Sequence, residues 1–288
     1  LTRPASRPYV RVAPLTRHRL GLPDLIEEEL SFPSAVRLRH PESDLARAYL
    51  YRHGRLGERP VVIWSPGQST SDSSFGALVP YLHELLARDL DVLFFVPAYH
   101  LERTPAGYPS GDAFLATDFS DHLAAFAQTL ADLRSLVGWL QGQGVTRLGG
   151  MGSSMGAWAL MRVASWDDCF AFLTLVVPMV RWELLMFQPE MAPLRDRLLA
   201  GGLSAEQAIE AYRALDPTPS PPRLPSGRIS VYYGRYDRVA PEPAILEWAE
   251  RWGVERVRRF DRGHATMLLS SALAREVRAG LDRDLHAL

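Results

Sequence analysis

A serine framed by two glycines is the first feature of the chain with an evident chemical use. Gly152, Ser154 and Gly156 form the pattern G-x-S-x-G between a strand-like apolar run and a helix-like stretch. In such a strand-to-helix turn the serine has a strained backbone, and the glycines leave the room that a tight turn needs. We therefore interpret the Ser154 hydroxyl as a displayed nucleophile, whereas the neighbouring Ser153 lacks this framing.

A histidine and an aspartate that could activate the serine follow later strand-like runs. A serine hydroxyl attacks only when a base removes its proton. His264 follows a strand-like run in the segment 259–269, and Asp237 lies in the loop after the run 228–234. The order Ser, Asp, His is one of the known connectivities of a catalytic triad. Asp216, which precedes a proline, is the alternative acid.

Residues that could contact a substrate flank these positions. The loop 97–112 follows a strand-like run and contains a histidine, an arginine and a tyrosine. The segment after residue 177 has aromatic and methionine side chains, which in many proteins only pack in a core but here are candidates for lining an apolar pocket. The predicted substrate-binding residues are His100, Trp182, Met186 and Phe187, with Arg103 and Tyr108 as further candidates in the loop.

The elements that must position these residues alternate between strand and helix. Continuous apolar runs suit strands that are covered on both faces, and alternation with helices indicates crossover connections. The fold class predicted is α/β, with a mostly parallel central sheet flanked by helices on both faces. The predicted strands are 35–39, 47–52, 60–65, 91–96, 145–150, 170–177 and 228–234, and the predicted helices are 73–89, 119–144, 154–165 and 242–253.

The domain organisation that we expect has one main body with additions. Residues 1–34 are rich in proline, contain a short helical candidate at 22–30, and are interpreted as a lead-in segment. Residues 35–288 form the main domain. The stretch from about 178 to 227 lies between two strands and is longer than a simple crossover needs, so we interpret it as a small helical cap insertion beside the working edge of the sheet.

Composition excludes several classes of function. The 288 residues carry a net charge of −1, which gives no electrostatic basis for binding nucleic acid. The longest apolar run, 170–180, is too short to span a bilayer and contains a proline. Cys169 is the single cysteine, and no Cys/His cluster has the spacing of a zinc site. The prediction is a cytoplasmic protein without metal or organic cofactor.

Four segments together resemble a known superfamily. "VVIWSPGQ", "GSSMG", "YYGRYDRVAP" and "DRGH" occur in the order and the strand–loop placement of α/β-hydrolase-fold proteins of the serine hydrolase and esterase type, over nearly the whole chain. The resemblance implies that Ser154 is the nucleophile. It implies that His264 acts as base and then as acid, and that Asp237 holds the imidazole.

The same resemblance implies an oxyanion hole built from backbone amides. Its donors are the amide of Met155, directly after the serine, and the amide of Gln68 in the loop after the strand-like run 60–65. The chain departs from the superfamily where many members carry His-Gly, because it has Pro66-Gly67 there. Proline supplies no amide donor and stiffens the approach to the loop.

The function expected from these features is hydrolysis of a carboxylic ester, with a thioester or an amide as further options. The substrate is then a small-molecule ester or acyl compound. Two alternatives stay open: an acyltransferase that uses the same triad, and a non-catalytic binding module that retains the fold. The sequence gives no indication of oligomeric state.

Overall fold

The computed structural model describes residues 8–285, and within this range nine strands form one sheet in the order β1-β2-β3-β5-β4-β6-β7-β8-β9. Strands β4 to β9 pair in parallel, whereas β1, β2 and β3 pair antiparallel to their neighbours. The strands are β1 (Arg11–Pro14), β2 (Ile26–Pro33), β3 (Leu45–Arg52), β4 (Val61–Ser65), β5 (Asp91–Val96), β6 (Leu148–Ser153), β7 (Phe172–Val176), β8 (Ile229–Gly234) and β9 (Arg256–Phe260).

The helices connect the parallel strands. They are α1 (Asp72–Phe75), α2 (Val79–Leu86), α3 (Asp112–Ala116), α4 (Phe119–Gly142), α5 (Met155–Trp166), α6 (Trp182–Met186), α7 (Ala192–Leu199), α8 (Ala205–Arg213), α9 (Glu242–Arg251) and α10 (Ser271–Leu285). Short 3-10 turns lie at Pro41–Asp44, Leu101–Arg103, Pro189–Met191, Ser226–Arg228 and His264–Thr266. Within residues 8–285, no helix has the length and apolar character needed to cross a membrane.

Two layers of core cover the two faces of the sheet. One layer packs α4, α5 and α9 against strand residues such as Ile63 and Leu173. The other layer packs α2 and α10 against the opposite face, with Trp64 and Met151 among the strand residues. Strands β4 to β8 are fully buried because both of their faces are covered, whereas the edge strand β9 is partly exposed. The predicted α/β architecture is therefore confirmed.

The helix predicted at 22–30 is wrong. Residues Ile26–Pro33 form β2, which pairs with β3 along its whole length. The three consecutive glutamates suggested a polar helix face, but Glu28 and Glu29 form ion pairs with Arg52 and Arg47 on the adjacent strand. Cross-strand pairs of opposite charge stabilise a sheet and here override the helical propensity of glutamate.

The first strands differ from the prediction in two further ways. Residues 35–39 contain no strand, because the chain turns there before the 3-10 turn at Pro41–Asp44. The predicted lead-in segment 1–34 contributes β1 and β2 to the central sheet, and its residues 1–7 lie outside the described range.

The stretch between β7 and β8 contains α6, α7 and α8. Of these helices, α7 contacts α3 and α4, and α6 contacts α8. Helix α8 begins with a capping box in which the Ser204 hydroxyl accepts the Gln207 amide and the Gln207 side chain accepts the Ser204 amide.

Candidate active site

The turn between β6 and α5 holds Ser154 in a strained conformation, with φ +52° and ψ −119°. Positive φ is rare for a residue with a side chain. A Cβ at Gly156 would overlap the Ser65 carbonyl oxygen, and a Cβ at Gly152 would lie 2.9 Å from the Ala157 amide nitrogen. The interpretation that both glycines make room for this turn is therefore confirmed.

Backbone hydrogen bonds tie this turn to the end of β7. The Ser154 amide donates to the Val176 carbonyl at 2.9 Å, and the Met179 amide donates to the Ser154 carbonyl at 3.2 Å. Val177 is itself at φ +42°, an outlier for a β-branched residue. Strained backbone therefore lies at the ends of two adjacent strands, at the edge where open parallel sheets bind ligands.

Ser154, His264 and Asp237 form one hydrogen-bonded chain. The Ser154 Oγ lies 2.8 Å from His264 Nε2, and His264 Nδ1 lies 2.7 Å from Asp237 Oδ2. A carboxylate only accepts hydrogen bonds, so His264 Nδ1 carries the proton in this arrangement and Nε2 is free to accept the serine proton. The Asp237 side chain is fully buried, whereas that of His264 is one-fifth exposed, at 20%.

Two loops hold the aspartate and the histidine together. The Tyr236 amide donates to the Arg262 carbonyl at 3.0 Å, and a Cβ at Gly234 would overlap that same carbonyl oxygen. The second Asp237 oxygen accepts the amides of Val239 and Ala240, at 2.9 and 2.8 Å. These contacts therefore fix the distance between the loop after β8, which carries Asp237, and the loop after β9, which carries His264.

The alternative acid has another partner. The Asp216 carboxylate accepts the Thr218 amide at 2.8 Å, and the Asp216 backbone carbonyl accepts from Arg162. Asp216 therefore closes a local turn, as an aspartate before a proline commonly does. Asp237 is the carboxylate that contacts the imidazole.

The loop after β4 runs directly against the serine. A Cβ at Gly67 would lie 3.3 Å from Ser154 Cβ, which shows how closely this loop approaches the serine. The Gln68 side chain donates to the Gly111 carbonyl at 2.6 Å. Met155 is the first residue of α5, and its side chain is buried in the core. The loop carrying the Gln68 amide and the start of α5 thus lie on either side of Ser154.

The serine and the histidine line a cavity of about 420 Å³. This volume is within the usual range for small-molecule sites. Its lining is mostly apolar and includes Trp182 and Leu185, which are three residues apart on α6 and so lie on one helix face. Further apolar lining that the sequence did not indicate comes from Leu115, Val177, Leu268 and Leu269.

Two of the predicted substrate-binding residues do not line this cavity. Among the described residues, those that line the cavity do not include Met186 or Phe187. Met186 follows Leu185 by one residue, so the helix turns its side chain into the core, where it is fully buried. Phe187 stacks against the Arg195 guanidinium instead, with 5.4 Å between the guanidinium carbon and the ring centroid.

His100 is also placed differently from the prediction. It is fully buried and is not among the described residues that line the cavity. Its Nδ1–H donates to the Ala98 carbonyl at 2.7 Å, and its Nε2 accepts the Ser69 amide at 3.2 Å. Burial lowers the pKa of His100 to about 4, so the ring is neutral near pH 7. The residue anchors the loop that carries Gln68.

The other two loop candidates contact protein groups. Arg103 is fully buried and donates to the Asp132 carboxylate and the Ser43 carbonyl, both at 2.7 Å. Tyr108 packs edge-on against His40. Within residues 8–285, no group of three or more His, Cys, Asp or Glu side chains is arranged to hold a metal ion.

The strand order, the strained turn after β6 and the hydrogen-bonded Ser154–His264–Asp237 chain define the α/β-hydrolase fold. Solved structures agree with this assignment. The chain aligns with an acetyl xylan esterase from Paenibacillus sp. R4 at a TM-score of 0.65 and 13% identity, over 95% of this chain and 89% of that one. It aligns with an esterase from Pyrococcus furiosus at a TM-score of 0.59 and 18% identity, over 89% and 92%.

A peptidase has the same fold, and two curated sequences are related. The acylaminoacyl peptidase of Pyrococcus horikoshii aligns at a TM-score of 0.61 and 15% identity, over 89% of this chain and 40% of that one. An uncharacterized protein of Mycobacterium tuberculosis, found in two strains, is 27% identical over 62% of this chain and 43% of its own length. The match thus spans less than half of those relatives. No protein-family profile matches the chain.

Proposed function

We propose that the protein is a serine hydrolase that cleaves a carboxylic ester through an acyl-enzyme on Ser154. The observation that carries the proposal is the unbroken hydrogen-bonded chain from Asp237 through His264 to Ser154, which ends in the wall of an apolar cavity. Esterases are among the solved structures with this fold, which supports an ester as the bond that is cleaved.

The first step is attack on the ester carbonyl. Neutral His264 takes the Ser154 proton on Nε2 as the Ser154 oxygen bonds to the carbonyl carbon. The imidazolium that forms is stabilised by the Asp237 carboxylate. This carboxylate is held in place because its other oxygen accepts two backbone amides. The ring therefore has little freedom to turn away during proton transfer.

The negative charge that develops on the carbonyl oxygen needs preorganised donors. We assign this role to the amides of Met155 and Gln68. Met155 begins α5, a helix of 12 residues whose N-terminal amides and dipole favour an anion. The close approach of Gly67 to Ser154 supports the choice of Gln68, the next residue in the loop, as the second donor. Each such donor contributes roughly 10²–10³ in kcat in enzymes of this kind.

Collapse of the tetrahedral intermediate transfers the proton from His264 to the departing alcohol and leaves the acyl group on Ser154. Water then repeats the sequence, with His264 again acting as base. We further propose that residues 178–227 act as a cap, because Met179, Trp182 and Leu185 form part of the apolar lining. An apolar wall excludes bulk water and strengthens the electrostatic interactions at the reacting atoms.

Covalent labelling with a fluorophosphonate tests the proposal. The reagent should add to Ser154 in the wild type and fail to add to Ser154→Ala, with the site mapped by peptide mass spectrometry. Ser153→Ala is the matched control, because Ser153 is the adjacent serine and lines the same cavity. Hydrolysis of p-nitrophenyl butanoate should fall by roughly 10⁴–10⁶ in Ser154→Ala.

Three results would contradict the proposal. Label on Ser153 would move the nucleophile by one residue, and the assigned triad would be wrong. Absence of both labelling and hydrolysis in a folded wild type would indicate a binding module instead. A product that carries an added alcohol in place of water would identify the acyltransferase alternative.

A further inference from the structure

A second, mainly apolar depression adjoins the catalytic cavity. It is a groove of about 230 Å³ between α2 and α10, and it shares three lining residues with the catalytic cavity, namely Ala77, Leu268 and Leu269. Its floor includes Met151 on β6, three residues before Ser154. At the rise of a strand, this floor is about 10 Å from the serine along β6.

The walls of the groove come from facing sides of two helices. On α10, Ala274, Val277 and Leu281 recur at helical spacing and form one apolar side. On α2, Tyr81 lines the groove. Its hydroxyl donates to the Leu268 carbonyl at 2.9 Å, so the aromatic ring is the part of the side chain that faces a ligand. The facing helix walls of the groove are therefore largely apolar.

The far end of the groove is marked by an ion pair. Arg278 Nε lies 2.8 Å from Glu84 Oε2, and both residues line the groove. Because each charge is already paired, this end offers no free charge to an ionic ligand. Leu269, at the end shared with the catalytic cavity, is 73% exposed, a large apolar side chain left in water beside the serine.

We propose that this groove holds the aliphatic chain of the ester substrate, so that the enzyme acts on esters with medium or long hydrocarbon chains. The inference rests on the proposed function, since it places the reacting carbonyl at Ser154. Adjacency selects this occupant, because Ala77, Leu268 and Leu269 line both the groove and the cavity that contains Ser154.

The size of the groove favours the same occupant. A stable protein partner needs well over 1,000 Å² of total buried interface, whereas about 230 Å³ between two helices suits a slender chain. Each methylene that leaves water in the groove should raise kcat/KM by up to about fourfold.

The experiment compares how activity depends on ester chain length in two variants that replace an alanine of α10 by phenylalanine. Ala274→Phe fills the groove, and Ala279→Phe makes the same change at an exposed position of the helix that does not line it. The measurement is kcat/KM for p-nitrophenyl butanoate, octanoate and dodecanoate. A parallel series of butyl, octyl and dodecyl acetates distinguishes a chain on the acyl side from one on the alcohol side.

In the wild type and in Ala279→Phe, kcat/KM should rise with chain length in one of the two series. In Ala274→Phe, the ratio of kcat/KM for the longest to the shortest ester in that series should fall by about tenfold or more. Ser271→Phe, at the exposed start of α10 and also in the groove lining, should lower the same ratio if Ala274→Phe does not fold.

The outcomes separate this inference from the proposed function. A flat profile in the wild type, or an unchanged ratio in the folded groove variants, overturns the chain-binding role while butanoate hydrolysis and Ser154 labelling persist. Loss of all hydrolysis and labelling overturns the proposed function as well. Concentration-dependent dimers that Ala274→Phe abolishes, with no change in ester preference, would assign the groove to a second copy of the chain and overturn the inference.

Discussion

Replacement of His100 by leucine should show whether His100 positions the loop that carries Gln68 or only stabilises the fold. His100 lies between two loops and joins the Ser69 amide to the Ala98 carbonyl through its two ring nitrogens. The residue before Ser69 is Gln68, the proposed second oxyanion donor. Leucine is similar in size to histidine, so His100→Leu keeps the core filled but removes both hydrogen bonds.

The expected loss can be worked out from these contacts. A buried backbone group left without a partner costs about 1–3 kcal/mol. Ala98 is buried whereas Ser69 is exposed, so His100→Leu should lower the free energy of unfolding by roughly 1–3 kcal/mol. Complete loss of an oxyanion donor lowers kcat by about 10²–10³. Because the Gln68 side chain still donates to the Gly111 carbonyl, we expect a partial displacement of the loop and a fall in kcat of roughly 10- to 100-fold.

His122→Leu is the matched control. His122 is also fully buried, its Nδ1–H donates to the Phe114 carbonyl at 2.6 Å, and burial lowers its pKa to about 4 as well. It makes no contact with the loop after β4 among the hydrogen bonds of the described residues. This variant should lose stability and keep kcat within about twofold, because the proposed oxyanion loop stays anchored.

The assay is kcat and KM for p-nitrophenyl butanoate, measured at a temperature where circular dichroism shows each variant to be folded. The signature of positioning is a fall in kcat with KM changed by less than about threefold. His100→Gln, whose side-chain oxygen can accept the Ser69 amide, should recover part of kcat. Equal kcat values in folded His100→Leu and His122→Leu would refute the reasoning and leave His100 a structural residue.

Three further predictions follow from the same structure. Asp237→Asn should lower kcat by about 10⁴, measured as ester hydrolysis, because the two backbone amides bind its oxygen and turn its NH₂ toward His264, which reverses the tautomer; a fall below tenfold would contradict this. Gly156→Ala should abolish folding or labelling, whereas Gly138→Ala in α4, with open space at its Cβ, should raise the free energy of unfolding by about 0.5–1 kcal/mol in urea titrations. The third prediction concerns pH: His100 and His122 have pKa values of about 4 in the folded protein and about 6.5 in the unfolded chain. The unfolded chain thus takes up protons first as pH falls, and stability should drop between about pH 6.5 and 4 by up to about 1.4 kcal/mol per pH unit for each histidine; a slope unaffected by His122→Leu would refute this.

Much of the parallel half of the fold could be predicted because its strands carry their signal locally. Strands that are buried on both faces are continuous apolar runs, and those around residues 60–65 and 91–96 agree with β4 and β5 to within a residue. Strand β2 could not be predicted in this way. Glu28 and Glu29 form diagonal ion pairs with arginines two positions away on β3, and that pairing is a property of the tertiary structure.

The candidate site likewise has a part that could be predicted from the sequence and a part that could not. Ser154, Asp237 and His264 follow strands of known order, so their meeting at one edge of the sheet follows from the connectivity. The lining of the cavity depends on the phase of α6, which no local pattern fixes, and Met186 therefore turns into the core. His100 follows a strand as well, but its burial depends on a contact with the separate loop at Ser69.

The backbone at the site is strained, and this explains why three strands of the sheet are needed to hold the Ser154 hydroxyl in place. Ser154 and Val177 both have positive φ, and each such residue costs on the order of 1–3 kcal/mol. The Ser154 amide bonds to β7, and the Val177 amide bonds to the Tyr232 carbonyl on β8 at 2.7 Å. Each strained residue is thus held by the next strand, and β8 in turn leads into the loop of Asp237. The strain can persist only while β6, β7 and β8 keep their register, so the geometry of the proposed nucleophile and the position of its acid depend on the same three strands.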